Sequence, residues 1–136
     1  MTDNNAELLD QLQKASDGLQ FISESEAPFN TFFWESGDNP PLNPETILQK
    51  TSRPQDTPVE VVDLDSFFGV ATTEQEWQSP EERETVKRFQ HLVEILKQHL
   101  NDPRVYRVGR RNIDAYIVGK TLTGDYAGLS TKVVET

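Results

Sequence analysis

Asp63-Leu64-Asp65 is the first arrangement in this chain that could do chemistry. Carboxylates at i and i+2 share one face of an extended strand, and their oxygens suit a divalent cation. Glu24 and Glu26 repeat that spacing if their segment is extended. Neither pair has a third ligand at a recognisable distance along the chain, and acids at strand ends ordinarily face water or cap the next turn. His91 and His99, eight residues apart on a predicted helix, are separated by about 80° around its axis. They therefore do not present two ligands on one face, and both read as helix-surface or core-edge residues. Ser66 has no histidine placed to activate it and reads as a helix cap. The sequence lacks a Gly-x-Ser-x-Gly elbow, a phosphate-binding glycine loop with lysine, His-Glu-x-x-His and a dinucleotide fingerprint. It has no cysteine, which excludes disulfides, thiolate metal sites and a cysteine nucleophile together. The expectation is a protein that is not an enzyme, with no cofactor and no metal of its own.

Charge carries more information. The net charge is −10 over 136 residues. Residues 1–85 hold 18 acids against 4 bases, a balance of −14, and residues 86–136 hold 5 acids against 9 bases, a balance of +4. Such a surface repels nucleic acid and attracts basic proteins. The basic cluster Arg104, Arg107, Arg110 and Arg111 has no aromatic interleaving, so it reads as a solvated hairpin with some arginines paired to the acidic half. Trp77 is the single apolar residue between Thr72 and Ser79, beside Glu74, Gln75 and Glu76. It is either a core residue or an exposed interface anchor; the residues alone leave both open.

The elements that must position these residues follow from periodicity and punctuation. Asn4 or Asn5 caps a helix to Asp17 through Leu8, Leu9, Leu12 and Ala15, with Gly18 after it. Leu19–Ile22 is a short strand, 23–28 a polar loop, and Phe29–Glu35 an aromatic strand broken by Gly37-Asp38-Asn39-Pro40-Pro41. Asn43 and Pro44 open a short helix to Lys50; 51–58 is a loop. Glu60–Asp65 is a strand giving way at Ser66, where Phe67-Phe68 start a helical turn. Ser79 and Pro80 open a long helix to about residue 101, in which Val86, Phe89, Val93, Leu96 and Leu100 form one apolar stripe. Strands over Val105–Val108, Ala115–Lys120 and Leu129–Val134 follow, joined by short turns. The fold expected is α+β: a three-layer α/β/α sandwich around a mostly antiparallel sheet, with the helices at 4–17 and 80–101 covering its two faces. At this length the chain is expected to form one domain, 1–136. Its first residues lack a basic and an apolar leader region, and no stretch is apolar enough to span a membrane, so a soluble, cytoplasmic protein is expected.

Several runs together resemble the nuclease A inhibitor family. They are Lys14-Ala15-Ser16-Asp17-Gly18-Leu19 followed by Ser23-Glu24-Ser25-Glu26, Val62-Asp63-Leu64-Asp65-Ser66-Phe67-Phe68 with Ala71-Thr72-Thr73 and Trp77, and the closing run Gly128 to Thr136. The resemblance implies an α/β/α sandwich and a small acidic protein, monomeric when free. It implies one-to-one binding to a sugar-nonspecific, Mg-dependent DNA/RNA endonuclease whose active site the protein occludes. By position it implies contacts from Glu24, Gln75, Trp77 and Thr136, with Glu76 as the acid before the tryptophan, and Thr136 reaching toward the nuclease's Mg²⁺. Two rival readings stand beside it: an acidic DNA-mimic or scaffold module for another basic protein, and a metal-dependent enzyme using Asp63 and Asp65.

Overall fold

In the computed structural model, residues 4–22, 26–34, 43–54, 56–69, 71–121 and 124–134 are described. Three consecutive strands, β5 (Asn101–Val108), β6 (Asn112–Lys120) and β7 (Tyr126–Val134), form an antiparallel meander. β3 (Asn30–Trp34) adds to the free side of β7, and β4 (Val59–Asp63) to that of β5, giving the order β3-β7-β6-β5-β4, antiparallel throughout. A separate hairpin pairs β1 (Gln20–Ile22) with β2 (Glu26–Pro28), so part of the segment expected to be loop is strand. Phe21 opposite Ala27 brings two apolar residues together there, and the Thr131 hydroxyl donates to Pro28 O at 3.0 Å, tying the hairpin to β7. The fold is α+β, as the element pattern predicts.

Alternation in β6 sends Ile113, Ala115 and Ile117 to one face of the sheet and Tyr116 and Val118 to the other. The two long helices take the same face, not one each as expected. Leu8 and Leu12 of α1 (Asn4–Ser16) and Phe89, Leu92, Val93 and Leu96 of α4 (Pro80–His99) join Ile113, Ala115, Ile117 and Leu129 in one core cluster. On the other face, α2 (Pro44–Lys50) supplies Ile47 and Leu48 to a cluster with Tyr106, Val108, Val118 and Tyr126. That face already carries the rings of Phe32, Trp34 and Tyr116, so a helix of seven residues covers what is left. The Asn39-Pro40 break between β3 and α2 lies outside the described residues.

The strands run longer than their apolar cores predict: β5 begins at Asn101 and β7 at Tyr126. Backbone pairing sets those ends, because Lys120 opposes both Asn101 and Tyr126. Gly128 is required by the same pairing, since a Cβ there would lie 1.7 Å from Ile117 O. After α1, Gly18 takes φ +78°, a conformation that L side chains rarely adopt.

α3 (Leu64–Phe68) begins earlier than predicted and overturns the view of Asp63-Leu64-Asp65 as a strand. Asp63, not Ser66, is its cap: its carboxylate accepts the Ser66 N–H at 2.7 Å, and hydrogen bonds from the Ser66 side chain and then its N–H hold the Asp63 pKa below the ordinary value. Asp65 lies in the helix and meets Lys97 Nζ at 2.8 Å. The two carboxylates thus serve separate partners. α3 exists to place Phe68, which is fully buried and centred 5.0–6.4 Å from the rings of Phe21, Phe29, Phe67 and Phe89. Truncating it leaves a cavity bounded by four rings. Phe68→Ala is expected to cost about 3–5 kcal/mol, measured by denaturant unfolding.

On the second face the Asp114 carboxylate holds both Arg53 and Lys132, the latter at 2.9 Å. Burial raises its pKa, but these hydrogen bonds outweigh it and leave the group below its ordinary 3.8. A depressed folded pKa contributes stability that is present above pH 3.8 and lost as pH falls through the folded value. Asp114→Asn should therefore be less stable than wild type at pH 7, with the gap narrowing below pH 3.8 in unfolding series at stepped pH.

Candidate partner-binding site

The segment between α3 and α4 starts as a set of polar residues with no core to bury, and local hydrogen bonds shape it. The Thr72 hydroxyl donates to Phe68 O at 2.9 Å and that of Thr73 to Gly69 O at 2.7 Å, continuing the α3 turn. At the far end Ser79 and Glu82 form a capping box. The Ser79 hydroxyl accepts the Glu82 N–H at 3.2 Å, and the Glu82 carboxylate accepts the Ser79 N–H at 2.9 Å. Between them, the Gln75 N–H donates to Gln78 Oε1 at 2.9 Å and the Gln78 N–H to Gln75 O at 3.2 Å, closing a turn with Glu76 and Trp77 at its tip.

α4 grips this turn from below. Arg83 donates to Gln75 O at 3.3 Å and Glu76 O at 2.9 Å, and Gln90 Nε2 donates to Thr72 O at 2.8 Å. Among the described residues, Arg83 Nε is buried without a hydrogen-bond partner. One guanidinium thus spends two bonds on the loop carbonyls at the expense of a third. These bracing residues are outside the sequence-derived set. The Ser-x-x-Glu spacing of Ser79 and Glu82 is a signal the sequence carries; the reach of Arg83 back across eight residues is not.

Trp77 is 75% exposed. Burial of a tryptophan removes a large apolar area from water, so leaving it out at a braced tip answers the open question in favour of a projecting side chain. Gln75 and Glu76 are exposed beside it, so three of the five predicted contact residues lie on one loop. Glu24 and Thr136 lie outside the described residues. His91 is exposed and His99 half-buried on α4. Of the four arginines, Arg107 meets Glu60 at 2.6 Å and Arg104 meets Asp102 at 3.2 Å, so only the first pairs with the acidic half. Among the described residues, no group of three His, Cys, Asp or Glu could hold a metal ion, and no helix is long and apolar enough to cross a membrane.

A family model described as nuclease A inhibitor-like protein (NuiA) matches residues 6–136, nearly the whole chain. No curated protein matches it.

Arg83 adds two bonds from α4 to those the loop makes within itself. Arg83→Met should raise amide hydrogen exchange at Gln75 and Gln78 by tenfold or more while leaving the exchange of β6 unchanged. Equal protection in both proteins would show that the turn holds itself.

Proposed function

The chain belongs to the nuclease A inhibitor-like family, and from that premise we propose that it binds a sugar-nonspecific, Mg-dependent DNA/RNA endonuclease one-to-one and occludes its active site. The observation that carries this reading is Trp77, 75% exposed on a turn that α4 holds by its carbonyls and that presents Gln75 and Glu76 alongside. A turn braced before binding has less backbone freedom to lose on contact, and aromatic anchors of this kind dominate interface energies.

The chemistry of the target supports the same reading. A cleft that holds phosphates offers Arg, Lys and a cation, and carboxylates from Glu24 and Glu76 take the place of phosphate oxygens there. Thr136 adds oxygen donors of the kind Mg²⁺ accepts. In this proposal the contact set is Glu24, Gln75, Glu76, Trp77 and Thr136, presented by a single-domain, cytoplasmic monomer. The −14 balance of residues 1–85 draws the basic cleft in from a distance. No bond is made or broken; inhibition is exclusion of substrate.

A nuclease assay with and without this protein tests the reading. Trp77→Ala should weaken inhibition by about 30-fold or more, the size expected for an interface hot spot. Glu24→Arg, or one residue added after Thr136, should weaken it by more than tenfold with the fold intact. Raising salt should slow association far more than it speeds dissociation. Wild-type inhibition by all three variants would overturn the contact set.

A further inference from the structure

Trp77 is not the whole of the apolar surface at this end of the molecule. Between β1, α3, the 71–78 segment and the first half of α4 lies a half-open groove of about 520 Å³. Its walls are Phe21, Phe67, Ala71, Val86 and Phe89. The Phe21 and Phe67 rings stack at 4.5 Å and 9°, and both are half-exposed despite packing against the main core. The volume lies within the range of sites that enclose a bound group, about 300–1,000 Å³.

The rim settles what kind of occupant fits. Among the described residues, Glu82 is the one ionisable residue lining the groove, and no Lys, Arg or His does. Glu74, Glu76 and Glu81 are exposed nearby in the chain, on the loop and on the first turn of α4. A second copy of this chain would bring the same acids face to face, and like charges set together at an interface cost several kcal/mol in general. A membrane with anionic headgroups is repelled for the same reason. A basic protein with an apolar side chain projecting from its surface satisfies both the walls and the rim.

Continuity with the Trp77 turn identifies that protein. Gln78 lines the groove while bonding Gln75 on both sides of the turn, so groove and turn move as one piece. On the opposite wall Phe21 precedes Glu24 by three residues in the chain. The groove thus adjoins the turn that carries Trp77.

We propose that this groove is a second docking surface that takes one apolar side chain of the nuclease, flanked there by lysine or arginine. The proposal rests on reading the chain as a nuclease inhibitor. The aromatic wall of Phe21 and Phe67 is a desolvating pocket of the kind in which interface energy concentrates once a partner excludes water. Trp77 thus projects outward into the partner while the groove receives from it, which gives the two proteins two separate points of engagement.

Thr85 offers the means to test this, because it is exposed, lines the groove and makes only a local hydroxyl bond to Glu81 O at 3.3 Å. Thr85→Trp fills the groove from α4 without entering the core. The probe is a purified sugar-nonspecific DNA/RNA endonuclease that the wild-type chain inhibits. The variant is expected to keep its circular dichroism and melting temperature and to need tenfold or more protein for equal inhibition. In wild type, the methyl resonances of Ala71 and Val86 are expected to shift when the nuclease is added. Inhibition by Thr85→Trp within twofold of wild type overturns the groove, as does the absence of those methyl shifts. If the variant fails to fold, the methyl shifts alone decide. Loss of inhibition by Trp77→Ala with none by Thr85→Trp sinks the groove and spares the inhibitor reading. A wild-type chain that inhibits no such nuclease, or a Trp77→Ala variant as potent as wild type, sinks both.

Discussion

The packing of Phe68 is the constraint on which the end of the molecule bearing Trp77 depends. A short helix delivers one ring into the space where the β1–β2 hairpin, the approach to β3 and the first half of α4 converge, and Phe21, Phe29, Phe67 and Phe89 close around it. Aromatic pairs in tilted and edge-to-face geometry contribute about 0.5–1.5 kcal/mol each beyond the area they bury. More important is what they join. The hairpin leading to Glu24, the start of the Trp77 segment and the helix that braces it have no backbone ladder in common. Their relative positions are fixed through side chains, and Phe68 touches all three. The Asp63 cap matters for the same reason: it starts α3 at the residue that brings Phe68 inward.

Beyond the core, the Trp77 turn is held by a different force. It buries no apolar side chain at its tip, so burial cannot shape it, and the work passes to hydrogen bonds from α4. Arg83 suits this role because one nitrogen of its charged guanidinium reaches two successive carbonyls, and the charge strengthens both bonds. These bonds fix the backbone of the turn, and the Trp77 side chain stays 75% exposed at its tip.

How much of this was legible depended on whether a short stretch of chain contains its own cause. α4 was, because its stripe, its Pro80 and its Ser79 cap all lie within the helix. The β5–β6–β7 meander was, because short turns join alternating runs. The β1–β2 hairpin was not: Glu26-Ala27-Pro28 is strand because of its partner in β1 and the Thr131 bond to Pro28, neither visible in three residues. Nor was the sharing of one sheet face by α1 and α4, which depends on how many aromatics β3 and β6 send to the other. Asp63-Leu64-Asp65 misled because i, i+2 acids mean one thing on a strand and another at a helix start. At the site, the family motifs gave the residues Gln75, Glu76 and Trp77, and the exposure of Trp77 came only with Arg83 and Gln90 in place.

The charge that marked the sequence is sorted by the fold, and the sorting has a direction. Bases from the second half neutralise acids on the edge strand and on α3: Arg107 meets Glu60 and Lys97 meets Asp65. Asp114 is held by Arg53 and Lys132. Glu74, Glu76 and Glu81, by contrast, have no ion pair among the described residues. Uncompensated acids on one patch repel one another, and the helix geometry offsets part of that cost where it is greatest. Glu81 and Glu82 sit in the first turn of α4, where the dipole favours negative charge, and Glu82 is held by its capping bond. On the surface that bears Trp77, Glu74, Glu76 and Glu81 thus carry charge that no base offsets among the described residues, whereas Glu60, Asp65 and Asp114 are paired.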